Sequence, residues 1–494
     1  MTILLGIGLL LAAICGAPLF IIIGGLALLF FTAIDTNLTV IIGEMYRMTS
    51  SSTLVAIPLF TFAGYLLSES KSPERFVRLY RAYFAWMPGG LAIVSLIACA
   101  FFTAFTGASG VTIIALGGIL HPLLMKDRYS EKFSLGLLTS SGSLGLLFPP
   151  SLPLILYAIV AKVNVDSLFL AGILPGSFFI LLLSFYAIYM GKKNKVERVA
   201  FPWERFFLIV KKSWWWLLPL NLFGLVQGMG KAAYFFPLHG IADSFSAFRA
   251  FFVQDLIAII PTLLTLLTAT LWDEVKPALK EAFWLLPLPA IVLGGIYGGV
   301  FTPFEAASVT VVYVMLVELL AYRDLSFVYD FPRIASESMV LVGGILLILG
   351  CALGLTNYLV DEQIPMKAVA LMREYISSKL MFLMVLNIFL LVVGCLMDIF
   401  SAIIIVVPLI LPIAQEFGVH PVHLGIIFLT NLEIGYSTPP VGLNLFISSY
   451  RFKKKIPELY RASLPFLIVL FFALLVITYV PELSLGLVDY FGLK

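Results

Sequence analysis

Oxygen-bearing side chains are concentrated at two places in this apolar sequence, and each cluster is followed by a Pro-Pro pair. Residues 139–145 precede the pair at 149–150, and residues 431–438 precede the pair at 439–440. Proline lacks an N–H and its ring clashes with the preceding helical turn, so a helix breaks there. A break frees backbone carbonyls, and these could bind Na⁺ together with hydroxyl, amide and carboxylate oxygens.

The two clusters are related by an offset that other prolines share. Pro149 and Pro439 lie 290 residues apart (439 − 149), and the prolines at 122 and 412 and at 175 and 465 keep the same offset. Broken helices at matching places in two halves are typical of secondary transporters, whose binding site lies between the repeats. Unwound backbone persists at membrane depth only where protein buries it or where it lines a cavity.

The composition is that of a polytopic membrane protein. The 494 residues are 61% hydrophobic and 12% charged, whereas soluble domains carry about 25% charged residues. Apolar segments recur along the chain, and we expect an all-α fold with about 10–12 spans of roughly 20 residues each. Because no Gly-rich nucleotide-binding motif with Lys-Ser/Thr is present, ATP-driven transport has no support. We expect no organic cofactor and no nucleic-acid partner.

Each half also contains an apolar segment interrupted by glycine, placed before its broken helix. The first covers about 91–125 with its interruption at 106–110, and the second covers 380–415 with its interruption at 394–398. Each segment predicts a re-entrant hairpin, which is a helix, a tight tip and a second helix. The broken helices that follow are expected at about 133–160 and 422–449.

The placement of Lys and Arg gives the two halves opposite orientations. Basic residues flank the first hairpin at both ends, among them Arg78 and Lys126, so both ends should be cytoplasmic. Residues 415–420, after the second hairpin, contain neither Lys nor Arg and should face outside. The second broken helix then reaches a basic run at 451–455, which we place in the cytoplasm. We therefore predict an inverted repeat formed by residues 1–190 and 284–494.

Residues 191–283 belong to neither repeat and form an inserted segment. The insert begins and ends beside cytoplasmic charge, so it should cross the membrane an even number of times. Candidate spans lie near 214–228, which opens with three tryptophans, and near 251–272. We expect two extra membrane helices, and a pair of amphipathic helices on the membrane surface is the alternative.

Candidate ion and substrate ligands come from the hairpin tips and the helix breaks. In the first half they are Thr106, Gly107, Ser109, Gly110, Ser140, Ser141, Ser143, Gly145, Pro149 and Pro150. In the second half they are Gly394, Asp398, Asn431, Glu433, Gly435, Thr438, Pro439, Pro440 and Asn444. We expect Na⁺ near Ser141, Gly145, Asp398, Asn431 and Thr438. The tips should face the breaks, 106–110 towards 140–145 and 394–398 towards 431–438.

Acidic residues deep in a span are costly and are usually functional. Asp398 and Glu433 could ligate Na⁺, carry a proton or cap buried N–H groups. Glu305 comes just after a proline and suits the first turn of a helix, so a capping role is expected there.

A membrane enzyme is a remote alternative. Residues 107–110 match the Gly-x-Ser-Gly of intramembrane serine proteases, which need a histidine base within hydrogen-bond reach. His121 is 12 residues from Ser109 on the same segment, about 18 Å away at 1.5 Å per helical residue. We therefore expect a transporter and no enzymatic activity.

Several motifs in order resemble the large membrane subunit of TRAP transporters. They are Ile57–Phe60, Phe148–Pro153, Gly295–Ala307 and Thr438–Phe446. The resemblance covers about 1–190 and 280–490, and the insert is longer than the usual central loop of that family.

The resemblance implies a Na⁺-coupled importer of organic acids in the bacterial inner membrane. It further implies a periplasmic binding protein that delivers the substrate and a small four-helix membrane subunit. It also implies an elevator mechanism, in which hairpins and broken helices move against a scaffold, and a fold shared with divalent-anion/sodium symporters. The alternative is a stand-alone Na⁺/dicarboxylate symporter or an ion antiporter of the same superfamily.

Overall fold

We analysed a computed structural model of the chain. It describes residues 8–9, 11–12, 17–33, 38–39, 42–43, 45–46, 52–196, 199–212, 262–364, 366–367, 376 and 378–492. Within these ranges the secondary structure is helical and contains no strand, which confirms the expected all-α class.

The helices of the first half follow the predicted order. They are α1 (Leu19–Ala33), α2 (Ser52–Glu69), α3 (Ser72–Phe84), α4 (Gly90–Thr106), α5 (Ser109–Lys126), α6 (Glu131–Ser141), α7 (Leu152–Ala161) and α8 (Val165–Lys193). A 3₁₀ turn, Leu144–Leu147, lies between α6 and α7. We call α4 and α5 hairpin one, and α6 and α7 broken helix one.

The second half repeats this order after the insert. The insert ends with α9 (Trp272–Ala282). The helices of the second half are α10 (Pro287–Tyr297), α11 (Pro303–Leu316), α12 (Asp330–Asp361), α13 (Lys379–Leu396), α14 (Ile399–Glu416), α15 (Pro421–Gly435), α16 (Leu443–Phe452), α17 (Ile456–Tyr479) and α18 (Glu482–Phe491). We call α13 and α14 hairpin two, and α15 and α16 broken helix two.

The lengths of these helices suit a membrane. In the described part of the chain, seven helices are long and apolar enough to span one, and two bent pairs raise this number to nine. One bent pair is broken helix one, with an angle of 45°. The chain is therefore a multi-pass membrane protein.

The hairpins turn where short non-helical segments interrupt the apolar runs. Hairpin one turns at Gly107, whose φ of 65° is left-handed, and the hydroxyls of Thr103 and Thr112 bond across it at 2.7 Å. Hairpin two turns at Met397 and Asp398. The interruption expected from residue 394 onwards is therefore shorter than predicted, because Gly394 continues α13.

The two broken helices lie side by side and run in opposite directions. At one end the Tyr157 hydroxyl donates to the carbonyl of Pro421 (2.8 Å), which joins the end of α7 to the start of α15. At the other end Lys454 Nζ lies 2.8 Å from Glu131 Oε1, which joins the residues after α16 to the start of α6. This hydrogen bond raises the pKa of Lys454. Antiparallel broken helices are what an inverted repeat requires.

Part of the insert packs against α3. The Tyr83 hydroxyl lies 2.8 Å from the Thr268 hydroxyl, and Arg78 pairs with Glu281 at 2.9 Å. The candidate span 214–228 lies outside the described residues, and 251–272 is described only from 262 onwards, where it is helical. The two-crossing interpretation of the insert therefore stays a prediction.

Candidate functional site

The first break interrupts broken helix one at a point directly beside hairpin one. Helix α6 ends at Ser141, and the Thr103 hydroxyl of hairpin one donates to the carbonyl of Gly142 (2.8 Å). A Cβ at Gly145 would lie 2.2 Å from the carbonyl oxygen of Ala100 and 2.4 Å from the backbone nitrogen of Ala104. Only glycine allows the break to approach hairpin one this closely.

The second break repeats this arrangement against hairpin two. Helix α15 ends at Gly435, and the chain becomes helical again at Leu443 after Gly442, whose φ is 61°. A Cβ at Gly435 would lie 2.5 Å from the carbonyl carbon of Gly394. The structure thus places Gly394 against the second break, as the sequence predicted.

The two breaks also contact each other. Asn444 Nδ2, at the start of α16, donates to the Thr139 carbonyl and to the Ser143 hydroxyl oxygen, both at 3.3 Å. The Thr139 hydroxyl in turn donates to Ser448 Oγ at 3.0 Å. Residues of both repeats therefore build one continuous polar region between the two broken helices.

Unpaired oxygens are concentrated in this region. Among the described residues, 14 buried side-chain N or O atoms lack a hydrogen-bond partner, and eight of them lie in the broken helices. These eight are Ser140 Oγ, Ser141 Oγ, Ser151 Oγ, Asn431 Oδ1, both carboxyl oxygens of Glu433, Ser437 Oγ and Asn444 Oδ1. Each unsatisfied buried group costs about 1–3 kcal/mol of stability. The clustering of these groups therefore indicates a binding site for a ligand that interacts with side-chain oxygen atoms.

The two acidic candidates differ in their surroundings. Asp398 is the N-cap of α14: its Oδ1 accepts from the backbone N–H groups of Phe400 and Ser401 (both 3.0 Å), and its Oδ2 accepts from the Ser401 hydroxyl. Glu433 is 1% exposed and has no partner for either oxygen. Asp398 thus takes the capping role, and Glu433 is the carboxyl group left without a partner.

The expected cap at Glu305 is confirmed. Its carboxylate accepts from the Thr302 backbone N–H (2.8 Å) and its own N–H donates to the Thr302 hydroxyl, which together form a capping box. This side chain therefore serves the start of α11.

Residues 106–110, at the tip of hairpin one, do not all face the first break. The expectation that this whole segment would face 140–145 is therefore wrong. A Cβ at Gly142 would lie 3.5 Å from the Ser109 carbonyl oxygen, so Ser109 is close to that break. Gly107 instead packs against Leu152, and Gly110 packs against Ile447 of broken helix two. The hydroxyl that donates to the break belongs to Thr103, one turn before the tip, and no sequence pattern distinguishes this residue.

Helix ends supply the electrostatics of the region. The N-termini of α5, α7 and α16 have no side-chain cap, whereas Asp398 caps α14. Uncapped N-termini present N–H groups and positive potential to an anion, and the C-termini of α6 and α15 present carbonyls to a cation. The region can therefore hold a cation and an anion close together.

The protease alternative finds no support. His121 Nε2 is buried without a hydrogen-bond partner, and its ring packs against Phe452 at 5.3 Å between centroids. Ser109 begins the same helix, α5, so the histidine is not in reach as a base. In the part of the chain that the structure describes, no group of three or more His, Cys, Asp or Glu residues could hold a metal ion.

Comparison with protein families identifies the type of molecule. Residues 3–483 match the family described as "Tripartite ATP-independent periplasmic transporter, DctM component". The chain belongs to this family. It is thus a transporter subunit and not an enzyme, in agreement with the resemblance noted in the sequence.

Named relatives cover nearly the whole chain. A C4-dicarboxylate TRAP transporter large permease of Pseudomonas aeruginosa is 31% identical over 95% of this chain and 94% of its own length. The protein of the same name from Rhodobacter capsulatus is 30% identical over the full length of both. An isethionate TRAP transporter permease, DctMQ, of Oleidesulfovibrio alaskensis is 29% identical over 89% of this chain and 59% of its own length.

Comparison with solved structures concerns the fold. The YdaH transporter of Alcanivorax borkumensis, whose crystal structure is described as having an unusual topology, aligns with a TM-score of 0.52. The alignment covers 91% of this chain and 89% of that one at 12% sequence identity. At this identity the likeness concerns the fold alone.

Proposed function

We propose that this TRAP permease chain imports a C4-dicarboxylate or a related organic acid and couples uptake to Na⁺. The substrate class is supported by the names of relatives from Pseudomonas aeruginosa and Rhodobacter capsulatus, both called C4-dicarboxylate permeases. A relative from Escherichia coli, 25% identical, is named for 2,3-diketo-L-gulonate, which is also an organic acid.

The cluster of unpaired oxygens at the two breaks carries the proposal of cation coupling. Na⁺ binds oxygen ligands, and freed carbonyls at helix C-termini are such ligands in transporters with broken helices. One ion would bind near Ser141 and Gly145, and another near Asn431 and Thr438. Glu433 would supply the negative charge, because Asp398 already accepts hydrogen bonds from its own helix.

The anionic substrate would bind at the uncapped N-termini of the same region. The N–H groups at the starts of α5 and α16, near Ser109 and Asn444, suit carboxylate groups. A dianion close to the Glu433 carboxylate is unfavourable until a cation offsets the charge. Ion and substrate therefore favour each other's binding, which is the thermodynamic requirement for coupled transport.

The proposal includes two partners and a mechanism. A periplasmic binding protein would deliver the substrate, and a small four-helix membrane subunit would support the permease in the bacterial inner membrane. Hairpins and broken helices would move as a unit against the remaining helices, as in an elevator. The contact between α2 and hairpin one would be one interface of that unit, and it is a close one, because a Cβ at Gly64 of α2 would lie 2.3 Å from the carbonyl oxygen of Phe105.

Reconstituted uptake tests the proposal. The permease and its small subunit are placed in proteoliposomes with a candidate binding protein and radiolabelled C4-dicarboxylate, under an inward gradient of Na⁺ or of choline. We expect uptake only with the Na⁺ gradient and the binding protein together. Equal uptake with choline would contradict Na⁺ coupling, and equal uptake without any binding protein would favour the stand-alone symporter.

A further inference from the structure

A buried asparagine on hairpin two sets the orientation of Asn431. Asn387, in the middle of α13, is 4% exposed. Asn431 Nδ2 donates to Asn387 Oδ1 at 2.7 Å and to the carbonyl of Ile427 at 2.8 Å. A carbonyl can only accept, so the Asn431 amide nitrogen must face Ile427. Its Oδ1 is consequently turned the other way, where it is buried without a partner.

Thr478 in turn holds the side chain of Asn387 by a hydrogen bond from its amide nitrogen. Asn387 Nδ2 donates to Thr478 Oγ1 at 3.1 Å. The Thr478 carbonyl lies 3.2 Å from His423 Nε2, and His423 Nδ1 lies 3.1 Å from the Ser484 hydroxyl. Because the carbonyl accepts, Nε2 carries the hydrogen. These contacts form a chain of bonds from α18 to the second break.

Among the described residues, this series of hydrogen bonds is found in the second repeat and not at the corresponding positions of the first. At the 290-residue offset, the positions of Asn387, Thr478 and His423 are occupied by Ile97, Ile188 and Phe133. The first repeat therefore keeps the fold with apolar side chains at these places. The polar chain is an addition to the second repeat, and the repeat architecture does not require it.

We infer that Asn387 is a positioning residue for the second cation site and keeps the Asn431 side-chain oxygen turned towards the helix break. The inference rests on the proposed function, in which Asn431 ligates Na⁺. A ligand held by a second layer of hydrogen bonds needs no reorientation when the ion arrives. Loss of such outer partners costs about 10–100-fold in metal affinity.

Thermal stabilisation by Na⁺ in the purified permease tests this role. The protein is titrated with NaCl, with choline chloride keeping ionic strength constant, and the half-saturating Na⁺ concentration is read from the melting temperature. Asn387→Leu, which keeps a similar volume, should raise that concentration about tenfold. Thr478→Val should raise it by less, because Asn387 loses one of its two partners. Ser463→Ala is the matched control on α17, since Ser463 Oγ is buried and makes no hydrogen bond, and it should leave the concentration unchanged.

A double variant separates positioning from a general structural effect. If Asn387 acts through Asn431, adding Asn387→Leu to Asn431→Leu should change Na⁺ affinity no further. The inference would be overturned if the double variant raised the half-saturating Na⁺ concentration by the product of the two single effects. It would also be overturned if Asn387→Leu and Thr478→Val both left that concentration unchanged. Should Asn387→Leu fail to fold, Thr478→Val decides in the same way. A wild-type protein with no response to Na⁺ would overturn the proposed coupling itself.

Discussion

Replacing Gly145 by alanine should separate hairpin one from the first break. The new Cβ would lie 2.2 Å from the Ala100 carbonyl oxygen, and Cβ atoms essentially never come closer than 3.0 Å to such a neighbour. The backbone must therefore retreat by about 0.8 Å. A retreat of that size along the Thr103–Gly142 hydrogen bond would stretch it from 2.8 Å to about 3.6 Å, which no longer counts as a bond.

The expected cost of Gly145→Ala combines two effects. Overpacking costs about 1–3 kcal/mol, and the lost hydrogen bond adds about 1 kcal/mol. We expect a lower apparent melting temperature and a loss of Na⁺-dependent uptake. Gly344→Ala is the matched control, because a Cβ there meets nothing within 4 Å and alanine in a helix should stabilise by about 0.5–1 kcal/mol. Wild-type melting and uptake in Gly145→Ala would refute the close approach.

Three further predictions concern charge and topology. Glu433→Gln should raise the half-saturating Na⁺ concentration about tenfold in the thermal titration. Asp398→Asn should lower the melting temperature, because the helix cap is lost, and should change Na⁺ affinity less. A larger loss of Na⁺ affinity in Asp398→Asn than in Glu433→Gln would return the coupling role to Asp398. A cysteine near Lys193 should react only with cytoplasmic reagent and one near Gly418 only from outside, and labelling from one side would contradict the inverted repeat. A protease site inserted near Gly240, which lies outside the described residues, should be cut from outside, and cutting solely from the cytoplasm would exclude two crossings of the insert.

The repeat could be predicted from sequence because its signals are local and regular. Two Pro-Pro pairs at one offset locate the breaks, and Lys and Arg at the loop ends set opposite directions. The structure has a break at each pair, between α6 and α7 and between α15 and α16. Proline and charge patterns were therefore sufficient to predict the two breaks and the opposite directions of the broken helices.

The contacts within the site could not be predicted in the same way. Sequence periodicity does not show which face of a buried helix meets a break when every face is apolar, so Thr103 and Asn387 were not selected. Asp398 and Glu433 looked alike as acids in spans, and only the start of α14 beside Asp398 distinguishes them.

Direct binding of ²²Na⁺ to the purified permease tests the central claim that the helix breaks hold the coupling ion. The wild-type protein is compared with a variant that removes one unpaired oxygen from each break, Ser141→Ala with Asn431→Leu, and with the Gly344→Ala control. We predict saturable ²²Na⁺ binding in the wild type and the control, and its loss in the double variant while folding is retained. Undiminished binding in the double variant would show that the ion binds elsewhere and would contradict the account.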